Sequence, residues 1–346
     1  MKSKLTDVPW ALTFDDITLN PCHSTLRSRK EPDVTTKLGL DTFKIPIVSS
    51  PMNTVTEDEM INVLAFLGGS SVLHRYMSIE DQVLICSETL NSEYPFYVAV
   101  GASGDYIERS EALYDVGIRH LCIDVANGHS ELCLDAVDNL KAKFPNISLM
   151  AGNVCNYEGA YKLAEHGCDV LRVGISNGSV CSTRLVTGHG MPQLSALEDS
   201  CRVKDKFKVS IISDGGIRFS GDIVKALAVG ADAVMIGNLL AGTEESPGKT
   251  FKDESGALFK QYSGMASMEA RTEWFGSEVS SYVPEGVSTK VNFKGSAKKI
   301  VENLVGGLKV GMSYCDAYTL KELQENAQFV RVTQNGYLEG TPYAKR

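Results

Sequence analysis

The stretch GSVCSTR, residues 178–184, sets one thiol among glycine and hydroxyl side chains, directly after the apolar run VLRVGI (170–175). Cys181 there admits two readings. It is a small apolar filler, the ordinary fate of a free cysteine, or a nucleophile at a strand end, where the amides of a tight turn lower a thiol's pKa and hold an anion. Gly174, Ser176, Asn177 and Gly178 are small enough for such a turn. A second stretch, ISDGGIRFSGD (212–222), ends an apolar run in Asp214 and continues with Gly215 and Gly216; a further run ends in MIGN, with Gly237. Paired glycine loops leading to helix N-termini suit a phosphate, through free amides and the helix dipole. A carboxylate repels phosphate, so Asp214 is better suited to accept from ribose hydroxyls. Asp124, at the end of LCIDVA, either faces the same mouth or caps the next helix. Glu285, in VPEGVSTK, is by type an ordinary solvated carboxylate. His74, His129 and His189 do not have the spacing of a metal site.

These residues need a frame. Eight near-continuous apolar runs alternate with stretches of helix length: 47–52, 71–75, 97–102, 121–126, 148–153, 170–175, 209–216 and 233–238. Such runs are expected of parallel strands covered on both faces. The alternation favours an α/β fold, a closed (β/α)8 TIM barrel occupying residues 1–346 as one domain, over an open doubly wound sheet. In HSELCLDAVDNLKAKF, Leu132, Ala136, Val137, Leu140 and Phe144 share one helical face. SGDIVKALAVG closes on Gly230 as a C-terminal cap. After Asn238 the next good helix starts near Ser296, so residues 239–295 form an insertion between strand 8 and helix 8, placed where a flap would sit. No second domain is inserted after Ile79.

Composition narrows the classes. A net charge of −9 argues against a nucleic-acid binder. No stretch is apolar for long enough to span a membrane, and the N-terminus lacks the apolar core of a secretory signal. Nine scattered cysteines without a CxxC pair fit reduced thiols in a cytoplasmic protein better than zinc or a disulfide framework.

Taken in order, LTFDDITL, SSPMNTVTE, HRYMSIEDQ, IDVANGHSE, AGNV, RVGISNGSVCSTR, GMPQLSA, ISDGGIRFSGDIVKALAVGADAVMIG, LLAGTEESPG and YSGM resemble the IMP dehydrogenase/GMP reductase family over nearly the whole chain. The resemblance implies a (β/α)8 barrel, a homotetramer, and purine nucleotide chemistry with a nicotinamide cofactor through a covalent bond from cysteine to purine C2. Cys181 falls on that cysteine. The dehydrogenase oxidises IMP and hydrolyses the adduct to XMP; the reductase expels ammonia from GMP and returns hydride from NADPH to give IMP.

Several features are similar to the reductase. The paired regulatory (CBS) domains that most dehydrogenases insert after the second helix are missing. STLRSR, DVANG and TGHGMPQLSA follow its pattern, and nineteen residues between Met265 and Glu285 make its short flap. The Arg-Tyr pair of the dehydrogenase flap is absent: Arg271 is followed by Thr272. Other features are dehydrogenase-like, among them the long IRFSGD-to-ESPG stretch and Tyr282 in YVPEGV. With the flap weighted most, the expectation is an NADPH-dependent GMP reductase acting on GMP and IMP. The alternatives are an IMP dehydrogenase without regulatory domains and a catalytically weak purine nucleotide-binding paralogue.

By the same resemblance Cys181, Thr183 and Glu285 are catalytic. Ser179, Gly216, Gly237, Asn238 and Tyr262 hold the phosphate, and Asp214 holds the ribose. The backbone around Met265, Ala266 and Ser267, with Glu285, reads the base edge, and Asp124, Asn127, Asn153, Arg172 and Gly174 lie toward the cofactor. Carbonyls of Ser176, Gly178 and Cys181 are candidates for a monovalent cation, K+, as in the dehydrogenase.

Overall fold

Strand-length apolar runs without enough polar surface for an exposed face have to be covered on both sides, and a closed barrel ringed by helices does this. The computed structural model describes residues 7–275 and 283–342. Eight parallel strands close on themselves: β1 (Ile47–Ser49), β2 (Ser70–Leu73), β3 (Tyr97–Val100), β4 (His120–Asp124), β5 (Ser148–Val154), β6 (Val170–Val173), β7 (Ser210–Asp214) and β8 (Ala233–Ile236). Each pairs with its successor, and β8 returns to β1 with Val234 opposite Ile47. Each of the eight apolar runs overlaps a barrel strand.

The connecting helices are α1 (Asp58–Phe66), α2 (Ile79–Thr89), α3 (Tyr106–Asp115), α4 (Glu131–Lys143), α5 (Tyr157–Glu165), α6 (Gln193–Cys201), α7 (Ser220–Ala228) and α8 (Ala297–Tyr314). Several begin on a hydroxyl or amide that accepts an otherwise unpaired backbone N–H: Ser78 for α2, Ser130 for α4, Asn156 for α5 and Ser296 for α8. Helix α7 ends at Ala228 with Val229 as its C-cap, and Gly230 follows at φ +126°, the left-handed position just past the cap. The buried face of α4 differs from the sequence reading. Leu132 is 56% exposed, and Cys133 and Leu134 take its place beside Ala136, Val137 and Leu140. Leu132 falls at the margin of the face that Cys133, Ala136, Val137 and Leu140 make around the helix, and turns to solvent. Seven residues, 90–96, connect the end of α2 to β3, which begins at Tyr97.

Two cores result. Helix faces pack on the outside of the strands, and the lumen is filled by Val48, Val72, Tyr97, Ala99, Cys122, Met150, Val170, Ile212, Ala233 and Met235. A hairpin of Thr36–Leu38 and Asp41–Phe43 stops the amino-terminal end with Leu38 and Phe43. The insertion 239–295 is not one loop. Phe251–Lys252, Leu258–Ser263 and Ser288–Asn292 form an antiparallel sheet, and a helix spans Met268–Phe275.

Candidate active site

The carboxyl ends of the strands open into a cavity of about 660 Å³. Its position follows from local sequence. The strands end in Asp124, Asp214 and the glycines 174, 215, 216 and 237, where side-chain volume disappears and the chain can turn sharply. Gly174 is at φ +148°, and a Cβ there would stand 2.1 Å from the carbonyl oxygen of Asp214. No other residue fits that position.

Cys181 is the one exposed cysteine of the nine. Its Sγ lies 3.2 Å from Thr183 Oγ1. An isolated bridge pairs Cys181 with Gly286, and the N–H of Ser182 donates to the carbonyl of Glu285 at 2.9 Å. Loops from strand 6 and from the insertion are thereby stitched together, and Cys181, Thr183 and Glu285 line one cavity.

A second group surrounds Arg172, which projects from β6. Its Nη1 donates to Asp124 at 2.6 Å, and its Nε and Nη2 donate to Asp214 Oδ2 at 3.1 and 2.8 Å. Asn153 Nδ2 donates to the same oxygen at 2.8 Å. Burial disfavours the guanidinium charge, but the two carboxylates outweigh it and hold Arg172 protonated. Asp214 Oδ2 is therefore occupied by three donors within the protein. Asp124 faces the mouth and does not cap α4, since Ser130 does that.

A third group contains Ser179, Gly237 and Tyr262. The Ser179 and Tyr262 hydroxyls are 3.2 Å apart. A Cβ on Gly237 would meet Ser50 Oγ at 2.8 Å and Tyr262 Oη at 3.2 Å, so the missing side chain leaves room where hydroxyls converge. Burial pushes the Tyr262 phenol above its usual range, partly offset by the Ser179 hydrogen bond, so it stays a neutral donor at ordinary pH. Gly216 and Asn238 line the same cavity, and the Asn238 carbonyl accepts from Lys294 Nζ.

Met265, Ala266, Asn153, Gly174, Ser176 and Gly178 also line the cavity. Ser176 adopts a left-handed φ of +69°, and the Gly178 carbonyl accepts from Cys181 N–H at 3.1 Å. Two expected residues are elsewhere. Ser267 does not line the cavity: its N–H donates to Gly264 O, and its hydroxyl accepts from Ala270 N–H at the start of a helix. Asn127 is exposed outside it, its side chain accepting from His129 N–H in a local turn. Tyr282 lies outside the described residues.

Residue type alone does not single out Ser50 and Gln193. Ser50 lines the cavity at 6% exposure with Oγ lacking a hydrogen-bond partner, which marks it as a place for a ligand's polar atom. Arg75 Nε is likewise buried without a partner at the cavity wall, beside Tyr76. Orphaned donors beside an apolar wall fit a ligand that brings both rings and anionic groups. A purine nucleotide and a nicotinamide cofactor are of that kind.

The IMP dehydrogenase / GMP reductase domain matches residues 11–343. An inosine-5′-monophosphate dehydrogenase of Nitrosopumilus maritimus is 32% identical over 466 positions, covering 96% of this chain and 98% of that protein. The corresponding enzyme of Aquifex aeolicus is 46% identical over 247 residues, which span 70% of this chain and half of that protein's length. Among solved structures, a cysteine-to-alanine variant of GMP reductase from Trypanosoma brucei, in complex with guanosine 5′-monophosphate, superposes with a TM-score of 0.92. It is 30% identical, with 98% of this chain and 99% of that chain covered.

Proposed function

Because the chain belongs to the IMP dehydrogenase/GMP reductase family of oxidoreductases, we propose that it is a GMP reductase. It converts GMP to IMP and ammonia with NADPH, through a covalent bond between Cys181 and purine C2. The observation that carries this reading is the meeting of Cys181, Thr183 and Glu285 at one cavity, with the exposed Sγ 3.2 Å from Thr183 Oγ1. The structural neighbour that binds GMP supports it.

The Cys181 thiolate attacks C2, forming the C–S bond. The C2–N bond breaks with its electron pair on nitrogen, so the amino group needs a proton to leave as ammonia. Glu285 delivers that proton through the Thr183 hydroxyl. Nicotinamide, when bound, supplies the hydride that C2 takes up. Sγ then departs with the C–S pair, which restores the thiolate and leaves IMP. Ser50, Ser179, Tyr262 and the glycine turns at 216 and 237 receive the phosphate, together with Asn238. The free oxygen of Asp214 accepts from the ribose, while Met265 and Ala266 face the base. Asp124, Asn153, Arg172 and Gly174 form the wall that would hold the cofactor. The remaining proposals are a homotetramer in the cytoplasm and a K+ ion on carbonyls of Ser176, Gly178 and Cys181.

A second reading has a specific basis. The relatives above are named IMP dehydrogenases, and Arg271 lines the same cavity as Cys181 and Glu285. Absorbance at 340 nm separates the two. A fall with GMP and NADPH, and no rise with IMP, NAD and potassium, is the expected result. A rise with IMP and NAD alone would make the protein a dehydrogenase, with Arg271 the first residue to test for water activation. Nucleotide binding without either change would leave a binding paralogue.

A further inference from the structure

The loop that carries Cys181 is held in an unusual way. Among the described residues, no backbone hydrogen bond ties residues 175–182 to a barrel strand; their backbone bonds run within the loop, to Leu185 and Val186 of the short helix that follows, or to residues 285–287 of the insertion. The link to the barrel is made by two side-chain amides. Gln193, the first residue of α6, is 4% exposed. Its Nε2 donates to the carbonyl of Val173, at the end of β6, at 2.8 Å and to Ser213 Oγ in β7 at 3.0 Å. Its Oε1 accepts from Asn177 Nδ2. Asn177 gives its other amide hydrogen to the carbonyl of Asp214 at 2.9 Å. Four donor hydrogens thus meet four acceptors across three stretches distant in sequence. The neighbouring backbone is cut to fit: a Cβ on Gly174 would lie 2.8 Å from Asn177 Nδ2 and 3.0 Å from Gln193 Oε1, and one on Gly215 would lie 2.9 Å from Asn177 Oδ1.

We propose that Asn177 and Gln193 are positioning residues, a two-amide clip that fixes the Cys181 loop to the carboxyl ends of β6 and β7. The clip acts through Cys181 and so rests on the reading that Cys181 attacks the nucleotide. A network with all four of its amide hydrogens paired resists displacement, and that resistance sets where Sγ stands relative to C2. Misplacement by about 1 Å is enough to cost on the order of a hundredfold in rate.

The test uses Asn177→Ala, Gln193→Leu and the double variant. Each single change should lower kcat by about 10- to 100-fold while the KM for nucleotide stays within about threefold. The double variant should be no slower than the worse single, because the two amides work as a unit. Hydrogen exchange should quicken in peptides covering residues 175–184 and stay unchanged in those covering β4. Unchanged kcat, additive losses, or faster exchange throughout the barrel would overturn the clip and leave the pair as ordinary packing. Should Gln193→Leu fail to fold, the half-buried Asn177→Ala decides alone by its kcat-to-KM split and its local exchange. The outcomes also separate the two proposals. A parent protein without GMP turnover would refute the assigned reaction, whereas exchange in 175–184 would still decide on the clip.

Discussion

The two ends of the barrel are built from the same eight strands and treat their side chains in opposite ways. In the lumen and at the amino-terminal stopper, Val48, Val72, Tyr97, Met150 and Phe43 are fully buried, and short polar contacts such as Tyr97 Oη to Ser148 Oγ at 2.9 Å and His120 Nε2 to Asp41 Oδ2 at 2.6 Å tie the end together. At the carboxyl ends the chain gives way to glycine, aspartate and small hydroxyl residues around an open cavity. Arg172 marks the boundary. Its Nη1 lies 3.6 Å from Cys122 Sγ in the lumen, yet its charge is taken up by Asp124 and Asp214 at the mouth. Stability and chemistry are thus assigned to different ends of the same strands, so substitutions at one end can be made without disturbing the other.

The sharpest way to break this division is Cys181→Ala. Turnover should fall by at least about a thousandfold with GMP binding kept within a few-fold, read by absorbance and calorimetry. Retained turnover would end the covalent mechanism. Two thiols compare the ends directly. Burial pushes Cys122, in the lumen, up to about 12, so at pH 8 only about one part in ten thousand is thiolate. Iodoacetamide at that pH should label Cys181 and leave Cys122 unmodified by mass spectrometry. Arg172→Met should cost about 3–5 kcal/mol in denaturant unfolding, because Asp124 and Asp214 lose a buried countercharge. It should also reduce activity, as expected of a boundary residue. Phe43→Ala at the stopper should cost a similar ~3–5 kcal/mol through a cavity while leaving kcat and KM within about twofold. A large loss of activity there would mean the ends are coupled. The smallest effect is Tyr262→Phe, which should raise the nucleotide KM about tenfold by removing one hydrogen bond to an anion and barely change kcat.

Particular residues show where sequence reasoning reached and where it stopped. The eight strands were legible because burial on both faces leaves an unbroken apolar run. Asp214, Gly216 and Gly237 were legible as strand-end residues because glycine there has a geometric reason. Leu132 is exposed because it sits at the margin of the apolar face of α4, where periodicity alone does not decide which side of the margin is covered. Asn127 and Ser267 belong to motifs that resemble a site, but local turn and helix-start hydrogen bonds claim them instead. Ser50 and Gln193 carried no signal in their type; an orphaned Oγ and a doubly donating Nε2 appear only once neighbouring strands are in place.

By itself the sequence determined the barrel, the order of its strands and the placement of a lone thiol on a strand-end turn, because each depends on local pattern and on residues near one another in the chain. Only the tertiary structure decided which groups meet. It brought Glu285 to the cavity of Cys181, placed Arg172 between Asp124 and Asp214, and joined Asn177 to Gln193. Hydrogen bonds and ion pairs act over a few ångströms in space, and closing the barrel is what turns separations of tens of residues into those distances.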